Sequence, residues 1–170
     1  MSGSVMKTPH LSLILLSIVS GFAVPGHVHA QEAPQAAAAP QPNFGDQSSQ
    51  TLTTKAWEAL TSKNYAFVDA YTARCIELYS AQAKEMQGSL PGRAPADTAS
   101  SYWALNDVGT CLYIRGQAFE AQGKTKEAIE AYRRLVSEFS YAQTWDTKGW
   151  FWPPADAAKQ RIQVLEFETL

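Results

Sequence analysis

The sequence predicts an all-α domain made of antiparallel helical hairpins and closed by a C-terminal capping helix. Three observations carry that prediction. Apolar residues recur at helical spacing through four successive stretches between residues 51 and 140. Lys63-Asn64, the segment 89–96 and Gly123 interrupt those stretches where the chain has to turn. The clearest pattern, GTCLYIRGQAFEAQGKTKEAIEAYRRLVSEF from Gly109 to Phe139, reads as two amphipathic helices around a tight turn at Gly123. At 170 residues the chain is sized for a single domain with a modest core.

The first 30 residues stand apart. A positive charge at Lys7 precedes an apolar run from Leu11 to Val24, and Val28-His29-Ala30 offers small residues to a signal peptidase. The run is shorter than the roughly 20 residues a spanning helix needs. Residues 1–30 are therefore expected to be a cleaved Sec-type signal peptide, with cleavage after Ala30 and a periplasmic or secreted destination. Cleavage would remove His10, His27 and His29, the only histidines, and make the formal charge one unit more negative than −2. Residues 31–50, rich in Ala, Pro and Gln, read as a disordered linker, since Pro34, Pro40 and Pro42 forbid a continuous helix.

From residue 51 the elements follow in order. Ser48 or Ser49 can cap a first helix near Thr51, in which Leu52, Ala56, Ala59 and Leu60 share a stripe and which ends at Lys63-Asn64. A longer helix from Tyr65 to Gln87 stops at Gly88 and places Val68, Tyr71, Cys75, Leu78 and Met86 along one side. Two prolines and a glycine make 89–96 irregular. Asp97 or Thr98 is expected to cap a third helix reaching Gln122, with Leu105, Val108, Leu112 and Phe119 buried. The fourth helix runs from Thr125 to Ser140 over Ala128, Ile129, Tyr132, Leu135, Val136 and Phe139. Three tryptophans then crowd the segment Trp145 to Trp152, which reads as an irregular aromatic loop, before Pro154 opens the last helix.

The third and fourth helices resemble a tetratricopeptide repeat, whose unit carries W-x2-L-G-x2-Y, then A-x3-F, then P. Gly116-x2-Phe119, Ala128 and Tyr132 fall at the matching intervals, Leu112 stands at the Trp position, and Arg115 and Ser140 replace the motif's Leu and Pro. Residues 109–142 make one near-regular repeat. Residues 51–87 make a degenerate one, with Trp57-x2-Leu60 resembling the motif's opening. The resemblance implies a scaffold that binds a protein or peptide on the concave face of its first helices, at Asn106, Thr110, Tyr113, Gln117 and Glu120.

The remaining chemistry is sparse. Cys75 and Cys111 lie on or beside the apolar stripes of neighbouring hairpins, where an oxidising compartment permits a disulfide and two separate buried thiols are the alternative. Arg115 reads as snorkelling or paired with a carboxylate such as Asp107, Glu120 or Asp146. Trp145, Trp150, Phe151 and Trp152 either pack the open end of the stack or contact a ligand such as an envelope glycan. With histidine removed, imidazole-based triads and zinc sites are excluded from the exported chain, and neither a phosphate loop nor a nucleophile-elbow motif occurs. The mildly acidic charge disfavours nucleic acid. The expectation is an exported, non-catalytic scaffold without cofactor, metal or membrane span, mediating protein or peptide interaction in the cell envelope. A glycan-binding module and a structural subunit of an envelope assembly are the alternatives.

Overall fold

The computed structural model describes residues 40–169. The expected signal peptide and the first part of the expected linker lie outside the described residues. Within them the chain is all-α apart from one short ribbon. Helix α1 spans Ser49–Thr61, and the Ser48 hydroxyl accepts from the Thr51 amide at 3.2 Å to cap it. Helix α2 spans Tyr65–Gly88 and is capped by the Asn64 side chain, which accepts from the Phe67 amide at 3.2 Å. Helix α3 spans Trp103–Ala121, α4 Thr125–Glu138 and α5 Pro154–Glu168. No helix among the described residues is long and apolar enough to cross a membrane.

Folded structure begins earlier than composition indicates. Phe44 packs edge-on against Tyr71 at 5.7 Å, and the Gln47 side-chain oxygen accepts from Arg74 Nε and Nη2 at 2.8 and 2.7 Å. The Gln47 carbonyl accepts from the Tyr79 hydroxyl at 2.9 Å. The linker reading therefore gives way before residue 50, because one aromatic ring and one amide fix this stretch to α2. At the third helix the expected Asp97 or Thr98 cap is not made. The Thr98 hydroxyl turns back to Pro95, and a 3₁₀ turn over Ala99–Tyr102 leads into α3 while Asn106 Nδ2 donates to the Ala99 carbonyl at 2.8 Å. Helix α4 stops two residues short of Ser140, since Phe139 leaves the helical region at φ −137 and buries its ring.

The two hairpins share one turn geometry, sixty positions apart. Lys63 (φ 57) and Gly123 (φ 70) both take the left-handed conformation. The next amide bonds back five residues in each case, Asn64 to Ala59 at 2.8 Å and Lys124 to Phe119 at 2.9 Å. Matching the turns pairs Leu52 with Leu112, Ala56 with Gly116, Val68 with Ala128, Thr72 with Tyr132 and Cys75 with Leu135, and every member is buried. The residue of the first hairpin that matches Leu112 is therefore Leu52, five positions before Trp57.

One core runs through the stack, as α2 packs on α1 and α3, α3 on α4, and α4 on α5. At the α3–α4 crossing a Cβ on Gly116 would lie 2.3 Å from a Tyr132 ring carbon, and one on Gly109 would lie 2.3 Å from the Cβ of Ala142, in the segment that follows α4. Both glycines are required for that approach. The aromatic segment is not irregular. Strands β1 (Thr144–Asp146) and β2 (Trp150–Trp152) form an antiparallel ribbon that pairs Thr144 with Trp152, Trp145 with Phe151 and Asp146 with Trp150. Gly149 (φ 104) completes its three-residue turn, in which the Asp146 side chain accepts from the Lys148 amide at 2.8 Å.

Candidate binding cleft

An open cleft separates α1 from the ribbon, with the N-terminal half of α3 as its floor. Helical spacing puts Ser49, Thr53, Trp57 and Thr61 with Gln50, Thr54 and Glu58 on one side of α1, and these form the first wall. Trp103, Asp107 and Thr110, four and three residues apart on α3, form the floor. Thr144, Trp145 and Asp146 of β1 form the opposite wall, joined by Phe151 and Trp152 of β2. The space has two adjoining lobes of about 830 and 810 Å³, which share Thr54, Trp57, Thr144 and Trp145.

The ribbon is held rigidly over that floor. The Thr110 hydroxyl donates to the Asn106 carbonyl at 2.7 Å, which leaves it to accept from the Thr144 hydroxyl at 2.7 Å. The Gln143 amide donates to Asn106 Oδ1 at 2.8 Å, and its side chain donates to the Ala94 carbonyl at 2.8 Å. Trp152 stacks edge-on against Tyr113 at 5.2 Å. Because side chains alternate across a ribbon, Trp145 and Phe151 share the other face, 5.0 Å apart between ring centres. On the floor, burial pushes the Asp107 carboxyl above its ordinary value, opposed by the hydrogen bond it accepts from the Ser49 hydroxyl. Behind it, Cys111 Sγ lies 3.3 Å from Thr53 Oγ1.

The face implied by the repeat resemblance is placed differently. Asn106 and Thr110 are buried in the bonds just described, and Thr110 alone of the five lines the cleft. Tyr113 is enclosed between Tyr132 and Trp152, and burial raises its phenol above the usual range. Glu120 accepts from the Tyr132 hydroxyl at 2.5 Å and pairs with Arg161 of α5. Gln117, between them, is partly covered and its Oε1 is enclosed without a partner. That row of α3 holds the ribbon and α5, and the open surface begins with Trp103 and Asp107.

The aromatic cluster divides. Trp152 packs on α3, whereas Trp145 is 57% exposed on the cleft wall and Trp150 is 49% exposed at the ribbon tip, with Lys148 Nζ 5.9 Å from its ring centre. Cys75 and Cys111 are both buried free thiols, and burial together with the neighbouring Cys75 pushes the Cys111 thiol well above its usual value. Arg115 pairs with Asp69 of α2 at 2.6 Å, not with Asp107, Glu120 or Asp146, and covers the Phe119 ring at 5.5 Å. Packing of α2 on α3 decides that partner, which sequence distance does not reveal.

Trp57, Trp103 and Asp107 are among the cleft residues that sequence reasoning passed over as part of the site, as are Glu58 and Asp146. The signal available was Trp103-x3-Asp107, two side chains on one ridge of α3 just outside its apolar stripe. Among the described residues no group of three or more His, Cys, Asp or Glu side chains converges to hold a metal. Comparisons with family models, with curated proteins and with solved structures found no match for this chain.

Proposed function

We propose that this chain is an exported, non-catalytic helical scaffold that binds a protein or peptide partner in the cell envelope through the cleft between α1 and the ribbon. The observation that carries the reading is the cleft itself. Three elements line it with aromatic rings and hydroxyls, and Trp103 and Trp145 keep 41% and 57% of their surface exposed. Large apolar rings in a concave, preformed site with scattered polar groups are a setting for recognition, because their burial by a ligand is favourable and costs little side-chain ordering. The repeat-like hairpins support the same reading, since stacked helical hairpins offer a rigid concave surface.

A glycan-binding reading draws on the same exposed indoles, which could stack on sugar rings among the cleft hydroxyls. A pull-down from envelope extract with wild-type chain and with a joint Trp57→Ala and Trp145→Ala variant tests the choice of surface. Partners captured by wild type should be lost by the variant and kept by a control change at exposed Leu78 on α2. Partners retained by the cleft variant would move the binding surface elsewhere.

A further inference from the structure

Accepting the cleft as the binding surface, we infer that it selects a basic peptide segment, one that brings lysine or arginine side chains onto the indoles and carboxylates of the cleft. The first ground is charge. The lining of both lobes contains Glu58, Asp107 and Asp146 and no lysine or arginine. Elsewhere Asp69, Glu77, Glu120, Glu138, Asp156 and Glu166 have a lysine or arginine partner, about half of the described carboxylates outside the cleft. None of the three cleft carboxylates belongs to an ion pair among the described residues.

The second ground is the aromatic surface. Cations of the chain itself cover rings outside the cleft, with Lys55 on Tyr71, Arg115 and Lys124 on Phe119, and Lys148 on Trp150. Among the described residues no such cation covers Trp57, Trp103 or Trp145. A cation placed over an indole face gains more as water is excluded, and a floor carboxylate within the same lobe adds direct attraction. The third ground is Asp107. Its surroundings supply one hydroxyl, from Ser49, against substantial desolvation. An arriving ammonium or guanidinium group would stabilise its charged form, whereas an acidic peptide would meet unpaired carboxylates and lose affinity.

Tryptophan fluorescence titration of the full chain tests the inference with four probes. These are a flexible peptide of Ala, Ser and Lys, its counterpart with Gln for every Lys, its counterpart with Glu, and a chitooligosaccharide. The lysine peptide should bind with a Kd about tenfold lower than the glutamine peptide, the factor supplied by one contact of about 1.4 kcal/mol. The glutamate peptide should bind more weakly than both. Asp107→Asn should remove most of the tenfold preference, and Glu58→Gln on the exposed rim should lower it in part even if the floor variant folds poorly. Equal binding of lysine and glutamine peptides, with neither variant altering it, overturns basic selectivity and leaves peptide binding standing. Binding of the sugar alone, or of no probe, overturns basic selectivity and the peptide reading together.

Discussion

Burial holds the Asp107 carboxyl above its ordinary 3.8 while the Ser49 hydroxyl pulls it back, so the fold pays for keeping a charge on the cleft floor. Below pH 3.8 the carboxyl is protonated in both folded and unfolded chains, and it imposes no penalty. As pH rises from there through the raised folded value, the unfolded chain loses its proton first, and stability falls. Above both values the penalty is constant. Asp107→Asn keeps an acceptor for Ser49 and removes the ionisation, so its melting temperature at pH 7 is expected to exceed that of wild type. The two proteins should converge as pH falls below 3.8. Thermal unfolding across pH measures this, and a variant less stable than wild type at pH 7 would show that the charge is structural. A carboxylate that costs stability where it borders an open cleft is what a binding role would retain.

At the scale of helices, α4 has the clearest periodicity in the chain, and its approach to α3 depends on the missing side chain of Gly116. Gly116 meets the Tyr132 ring, which is fully buried and tied to Glu120, so neither partner can move aside easily. Gly116→Ala is expected to destabilise the protein by about 1–3 kcal/mol through overpacking. Gly88→Ala, where an added Cβ meets nothing within 4 Å, should change stability little, and chemical denaturation of both separates packing from propensity. The 3.6-residue periodicity made α1, α2 and α4 readable to within two residues, with Asn64 and Gly88 marking α2, and Pro154 marks where α5 starts. The ribbon was not readable in that way. Its strands are three residues each, too short for alternation to register, and its order comes from Thr144, Gln143 and Trp152 reaching α3. The first hairpin was less legible for a related reason. Its left-handed turn residue is Lys63 where the second hairpin has glycine, so the register showed only in the backbone.

At the scale of the whole described body, the hairpins, the ribbon and α5 divide the surface of α3 between them. One row, Asn106, Tyr113 and Glu120, is spent on attaching the ribbon and α5, which is why the repeat-derived face is closed. The adjoining ridge at Trp103 and Asp107 stays open beneath the gap between α1 and β1. Which ridge is covered depends on elements more than thirty residues apart in sequence, and no local pattern encodes it. The position of the five indoles turns this arrangement into a measurement. In the ¹⁵N-labelled protein, titration with the lysine-bearing peptide is predicted to shift the indole N–H resonances of Trp57, Trp103 and Trp145 while leaving that of Trp150, at the ribbon tip, in place. Shifts at Trp150 with the three cleft indoles unmoved, or no shift in any indole, would contradict the assignment of the cleft as the binding site.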